Sequence, residues 1–173
     1  MKHQSIGFGN EKAINQLLAH HAVIFSPEKR LVWVSSNPYQ LGEFVCYDLN
    51  EIFSDKRLEN GKFSKAERNI PEDPFLHSVE FENYEVYKFM QSEILDVIKK
   101  DNIVLSEDFT SEFQTLNPDL WSGYFLAGKY YYKIKDYQRA KIEFEKALTK
   151  EITTLPDKEV IIKYLNKTKR KLK

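Results

Sequence analysis

The sequence is poor in cysteine, glycine and proline, with one, six and six of them among its 173 residues. A single cysteine excludes an internal disulfide framework. No charge excess exists, because 26 Lys and Arg balance 26 Asp and Glu. This balance argues against a protein built mainly to grip nucleic acid or an anionic membrane, since both need a basic excess.

Long apolar runs are also missing. None approaches the about 20 residues that a membrane-spanning helix needs. The start, MKHQSIGFGN, has no apolar core of a signal peptide, so we expect a chain without an export signal of its own, cytoplasmic by default. Aromatic residues, in contrast, make up 14% and bury large areas, which indicates a packed core rather than disorder.

The first half predicts a short helix and three strands. Asn10 is a good N-cap for a helix over residues 10–20, with Ala13, Ile14, Leu17 and Leu18 on one stripe. Runs rich in β-branched and aromatic residues follow at 21–25 and 31–36. Pro27 between them presets a turn, so we expect a β-hairpin, with a third strand at 43–49.

These strands are apolar on both faces, which implies cover from both sides. Either the later helices or another polypeptide must supply it. Residues 50–74 are polar, with a turn at Asn60-Gly61, and predict a long excursion with little regular structure. Helices are expected over 79–100 and around 107–116, and Asn117-Pro118 predicts the next helix start, with Asn as cap and Pro in the first turn.

From Pro118 onward the spacing resembles one tetratricopeptide repeat, a pair of antiparallel helices with small residues at the seam. The matching positions are Tyr124, Ala127, Gly128, Tyr131, Tyr137, Ala140, Phe144 and Ala147. Asp136 is a plausible N-cap of the second helix. Gly128 and Ala140 would allow close approach, while Tyr131 and Phe144 would fill the seam. Position 152 is Ile instead of the usual proline, which comes at 156, so the following turn is longer or irregular.

Residues 157–171 predict a capping helix. The basic residues of 157–173 favour a solvated face, with a docking site for an acidic partner as the alternative. In a tetratricopeptide groove the inner face of the first helix contacts the ligand. By spacing, that face carries Phe125, Lys129, Tyr132 and Lys133 as candidate partner-binding residues. The alternative is that Phe125 and Tyr132 pack on the helix at 79–100.

Candidate chemistry is sparse. Cys46 lies mid-strand and is interpreted as an inert core thiol rather than a nucleophile. His20 and His21 are adjacent and would point to opposite faces of a strand, and His3 and His77 add no metal-ligand spacing. GFG at 7–9 lacks the third glycine of a dinucleotide loop. No catalytic residue, metal site or cofactor is therefore predicted.

A longer pattern carries a resemblance to a family. The run GNEKAINQLLAHHAVIFSPEKRLVWVSSNPYQLGEFVCYDLNEIF, followed by IPEDPFL, resembles the end of the catalytic domain in bacterial relatives of acyl-coenzyme A:6-aminopenicillanic acid acyltransferase. These are self-processing cysteine N-terminal-nucleophile hydrolases, related to choloylglycine hydrolase and penicillin V acylase. The resemblance covers roughly residues 5–90. It implies an αββα sandwich and chemistry on amide or thioester bonds of small acylated compounds.

The resemblance places the family's nucleophile upstream of the matching segment. Cys46 does not occupy its position, so no catalytic residue carries over. We therefore expect the α+β C-terminal portion of an acyltransferase or amidase, catalytically incomplete alone, and needing a companion chain or self-association to cover its strands. The predicted segments are 1–76 from the catalytic domain, 77–117 connecting helices and 118–173 the helical hairpin with its cap. The alternative function is a non-enzymatic protein-interaction module that uses these helices.

Overall fold

The computed structural model describes residues 6–13, 17–54, 63–100 and 104–173. By their internal contacts these residues form two compact units. The sheet unit lies within residues 15–78, and the helical unit combines residues up to 14 with 79–173. The molecule mixes a small antiparallel sheet with helices, as the sequence predicts at the level of an α+β class. The division of the chain into 1–76, 77–117 and 118–173 comes from the sequence resemblance and not from these contacts, so it stays a prediction.

The predicted hairpin is confirmed. Strand β1 (Val23–Ser26) pairs antiparallel with β2 (Leu31–Ser35), and a short 3-10 turn (Pro27–Lys29) joins them. Arg30 closes this turn in the left-handed region, at φ 53°. Strand β3 (Phe44–Asp48) pairs with the other side of β2, so the sheet order is β1-β2-β3.

After β3 the chain forms a one-turn helix α1 (Leu49–Ile52), whose N-cap Asp48 accepts the Asn50 N–H at 2.9 Å. Short 3-10 turns at Ala66–Arg68 and Pro74–His77 are the other regular elements described before residue 79. This agrees with the predicted excursion. The turn predicted at Asn60-Gly61 lies outside the described residues.

The described residues of the helical unit form five helices. They are α2 (Val79–Lys99), α3 (Phe109–Leu116), α4 (Trp121–Lys133), α5 (Tyr137–Leu148) and α6 (Leu155–Lys171). Helix α2 packs against α3 and α4, and α4, α5 and α6 pack against one another. The core includes the stacked rings of Tyr87 and Phe113, with centroids 4.5 Å apart. Burial raises the pKa of Tyr87 to about 12.

The close approach of α4 and α5 depends on Gly128. A Cβ at this position would lie 2.6 Å from two ring carbons of Phe144, a distance that a real Cβ does not tolerate. Ala140 and Phe144 are fully buried and Tyr131 is nearly so. The small and large residues that the repeat-like spacing singled out therefore do meet at this seam.

The helix boundaries correct one predicted cap and confirm another. Asp136 caps α5 by accepting the Arg139 N–H at 3.0 Å, as predicted. Helix α4, however, begins at Trp121 with Leu120 as its N-cap, not at Pro118. Asn117, the predicted cap, does not cap α4, because its side chain forms two hydrogen bonds with the backbone of Phe8. It accepts the Phe8 N–H at 3.0 Å and donates to the Phe8 carbonyl at 2.8 Å.

The helix predicted over residues 10–20 is wrong for the residues described there, which form turns and a bend; Ile14 lies outside them. Residues 6–13, here called the N-terminal strap, instead lie against the helical unit. Asn10 is 1% exposed and donates to the carbonyl of Glu151 at 3.0 Å. Gly7 has φ +79°, and a Cβ there would lie 2.5 Å from the backbone of Leu120. Long-range bonds thus override the local helical pattern.

Candidate functional site

The lone thiol is enclosed. Cys46 is 0% exposed on β3, and burial raises the pKa of its thiol, with the nearby Arg68 guanidinium acting in the opposite direction. The other charged groups that act on it are Asp48 and Glu67, both of which raise that pKa further. A nucleophilic thiol needs thiolate character and access. Its surroundings therefore favour the protonated, inert form.

The histidines that the structure describes are exposed. His20 and His21 are exposed residues ahead of β1. His77 contacts the Glu72 carboxylate through Nε2 at 2.8 Å, and His3 lies outside the described residues. Within the described ranges no group of three or more His, Cys, Asp or Glu side chains is placed to hold a metal ion.

One edge of the sheet is sealed. On the outer side of β3, Phe44 and Ile70 exchange N–H···O bonds of 2.9 and 3.0 Å. The Cys46 N–H donates to the side-chain oxygen of Asn69 at 2.9 Å, and its carbonyl accepts the Lys65 N–H at 2.8 Å. Residues 64–70 thus cover this edge, and Asn69 takes the place of a strand backbone.

The opposite edge of the sheet is open. Among the residues that the structure describes, no strand pairs with the outer side of β1. Its side chains are exposed on both faces, Val23 to 47%, Ile24 to 42% and Phe25 to 67%. Apolar side chains beside unpaired backbone donors and acceptors are the features that recruit another strand. This open edge is the first candidate site.

The second candidate site lies on helices α4 and α6. Phe125, Lys129 and Tyr132 lie together on α4, but they meet Tyr164 of α6. The ring centroids of Phe125 and Tyr132 lie 5.6 and 5.9 Å from that of Tyr164, in edge-to-face contacts. The alternative was that Phe125 and Tyr132 pack on the helix at 79–100, whereas these ring contacts are with α6. Tyr164 is the residue that spacing on α4 alone could not reveal.

Lys133 does not join this group. Its ammonium donates to the carbonyls of Val97 at 2.7 Å and Ile98 at 3.2 Å, and also to that of Lys100. It therefore satisfies carbonyls at the C-terminal end of α2, where a helix attracts positive charge. A structural role describes Lys133 better than the predicted partner-binding role.

The aromatic surface of Phe125, Tyr132 and Tyr164 carries two ammonium groups. The Nζ of Lys129 lies 5.6 Å from the Phe125 ring centroid and 6.0 Å from that of Tyr164. The Nζ of Lys167 lies 5.7 Å from the Tyr164 centroid. Neither lysine is ion-paired within the part of the chain that the structure describes. Positive charge over aromatic faces can bind a carboxylate without first breaking a salt bridge.

A shallow cavity near α3 is a weaker candidate for a functional site than the open edge or the aromatic surface. It is lined by Ser111, Gln114, Thr115, Pro118, Tyr124, Lys146, Thr149 and Lys150. Its lysines are already engaged, since Lys150 pairs with Asp119 at 3.2 Å and Lys146 lies 3.7 Å from Glu143. Its lining contains neither a histidine nor a cysteine that could act as base or nucleophile.

Comparison with known proteins adds no relative. No family model matches the chain, and neither a curated protein nor a solved structure matches it. In the described residues no helix has both the length and the apolar character needed to cross a membrane.

Proposed function

We propose that this chain is the C-terminal portion of an acyltransferase or amidase of the cysteine N-terminal-nucleophile class, and that it is catalytically incomplete alone. The proposal begins from the sequence resemblance over residues 5–90. The sheet unit, within residues 15–78, falls inside that segment. The bonds handled by the complete assembly would be amides or thioesters of small acylated compounds.

The open edge of β1 is the observation that carries this proposal. The three apolar side chains of β1 are exposed, whereas β2 and β3 have no exposed residue and Cys46 of β3 is fully enclosed. A sheet finished on one edge and bare on the other is what a slice of a larger sandwich would present. The missing strands would belong to the half that carries the nucleophile.

The state of Cys46 supports the catalytic incompleteness. A buried thiol with a raised pKa supplies little thiolate at neutral pH. None of the histidines that the structure describes is among the groups that act on it, so these histidines do not form a cysteine–histidine pair with it. The chain's own contribution would be structural: it would complete the sheet that holds the companion's reactive cysteine.

The purified chain is expected to show no turnover of acyl-amide or acyl-thioester substrates above the buffer rate, and Cys46→Ala is expected to behave identically. A positive arm uses a family enzyme truncated to keep its N-terminal cysteine but to lack the segment that residues 5–90 resemble. Adding the chain is expected to restore turnover. Turnover by the isolated chain, whether or not Cys46→Ala abolishes it, would contradict the proposal.

A second candidate function is a protein-interaction module. The observation that favours it is the pair of ammonium groups of Lys129 and Lys167 over the rings of Phe125 and Tyr164. A surface of this kind would hold an acidic peptide segment. Lys133 is left out of this surface because it bonds to α2.

We expect Lys129→Ala/Lys167→Ala to lose the partners that the immobilised wild-type chain captures, because both cations of the aromatic surface are removed. Lys163→Ala/Arg170→Ala is the matched control, since it removes the same charge from exposed positions of α6. The control is expected to keep those partners. Quantitative mass spectrometry of the captured proteins distinguishes them, and identical sets for both double variants would retire this candidate.

A further inference from the structure

The direction of the free backbone groups on β1 follows from one hydrogen bond. The Ser35 N–H donates to the Ala22 carbonyl at 2.9 Å, so Ala22 faces β2. Successive residues of an antiparallel strand direct their backbone groups to alternate sides. Ile24 therefore also faces β2, and Val23 and Phe25 present their N–H and C=O groups to the open edge.

We propose that two copies of this chain pair through their β1 edges, antiparallel and about a two-fold axis at Ile24. In this register Val23 lies opposite Phe25 of the second copy, and each exchanges both its N–H···O bonds with the other. Ile24 lies opposite Ile24 of the second copy, as a pair without mutual hydrogen bonds. All outward-facing donors and acceptors of Val23 and Phe25 are thereby satisfied.

The side chains fit the same arrangement. On one face of the sheet the exposed rings of Phe25 would cover the exposed Val23 of the other copy. On the opposite face the two Ile24 side chains would meet. Aromatic and β-branched cross-strand pairs stabilise antiparallel sheets. The edge carries no charge that would discourage pairing, because Val23–Ser26 is uncharged.

A second copy is the occupant that this edge fits, because the strand is complementary to itself. Residues 64–70 seal the other edge of the sheet, so in the described part of the chain the β1 edge is the one available for pairing. The contact is therefore isologous, and it closes at the dimer rather than propagating into a fibre.

The pairing ends at Pro27, which has no N–H to donate. A strand of four residues buries less area than the standard interface of about 1,600 Å². We therefore expect a reversible dimer whose population rises with protein concentration. This inference does not depend on the proposed catalytic role, because the dimer needs no companion chain; a companion chain that supplied strands to the β1 edge would displace the second copy.

A charge exchange at Ile24 tests the two-fold register. With light scattering after size exclusion, the wild-type mass is expected to rise with concentration from 20.5 kDa toward about twice that value. Ile24→Lys and Ile24→Glu should each stay monomeric, because like charges would face each other across the axis. Mixing the two variants at equal amounts should restore the dimer, now as a heterodimer.

A cross-linking arm separates pairing from any folding cost. Residues paired without mutual hydrogen bonds have Cα atoms about 4.5 Å apart, within disulfide range. Ile24→Cys is expected to form a covalent dimer on mild oxidation, whereas Val23→Cys is not, because residue 23 faces residue 25. Cys46 is buried, so the wild type is expected to give no cross-link. A wild type monomeric at all concentrations, a mixture that stays monomeric, or equal cross-linking at both positions would overturn the dimer and leave the catalytic proposal standing.

Discussion

Gly128→Ala is expected to lower the free energy of unfolding of the helical unit by about 1–3 kcal/mol, although alanine is the better helix former. The added methyl would lie 2.6 Å from two ring carbons of Phe144. That ring is fully buried and contacts Phe125 and Tyr164, so it has little room to yield. The helices must separate, or the ring must leave its rotamer. Urea unfolding followed by circular dichroism measures the loss.

Gly123→Ala is the matched control in the same helix. A Cβ there lies no closer than 3.5 Å to the nearest atom, the hydroxyl of Tyr87, which is ordinary contact. The gain in helix propensity should then appear undiminished, as a stabilisation of about 0.5–1 kcal/mol. If the two alanines shift the unfolding midpoint in the same direction and by similar amounts, the close approach of α4 and α5 does not control the stability of this unit.

Asn117→Ala is expected to lower the free energy of unfolding by about 1–3 kcal/mol, because it removes both hydrogen bonds between the Asn117 side chain and the backbone of Phe8. Asn117 is 2% exposed and both of its amide atoms are engaged. The amide proton of Phe8 should lose its protection against hydrogen exchange, while amides in the middle of α5 keep theirs. The N-terminal strap would then separate from the helices before they unfold.

Thr115→Ala serves as the control for that experiment. Its hydroxyl donates only to the carbonyl of Glu112 within α3, at 2.7 Å, and the residue is exposed. A change within about 0.5 kcal/mol is expected. Equal protection of the Phe8 amide in both variants would show that Asn117 does not hold the strap.

Local patterns predicted the elements whose stabilising contacts are local. The β-branched runs on either side of Pro27 specify the hairpin, since its pairing is short-range and its turn is preset. The small residues Gly128 and Ala140 specify the seam between α4 and α5, because antiparallel neighbours bring fixed sequence positions together. Asp136 specifies the start of α5 by the same kind of near-neighbour bond.

Local sequence predicts less well the roles of residues whose partners lie far along the chain. The local sequence predicts Asn10 as a helix N-cap, but its side chain donates to the carbonyl of Glu151. The local sequence also predicts Asn117 as an N-cap, but its side chain accepts the N–H of Phe8. Lys133 lies on the same helical stripe as Lys129, but its ammonium donates hydrogen bonds to carbonyls at the C-terminal end of α2. Periodicity reports which residues share a face, and it does not report what another segment offers to that face.

The strap also has a consequence for synthesis. Residues 6–13 are synthesised before the residues they contact, which are Asn117, Leu120 and Glu151. In the sequence the sheet unit lies between the two parts of the helical unit, so it is an insertion in that unit. During translation the strap therefore lacks these contacts until more than a hundred further residues have been added, and a nascent-chain arrest before residue 117 should leave it open to proteases.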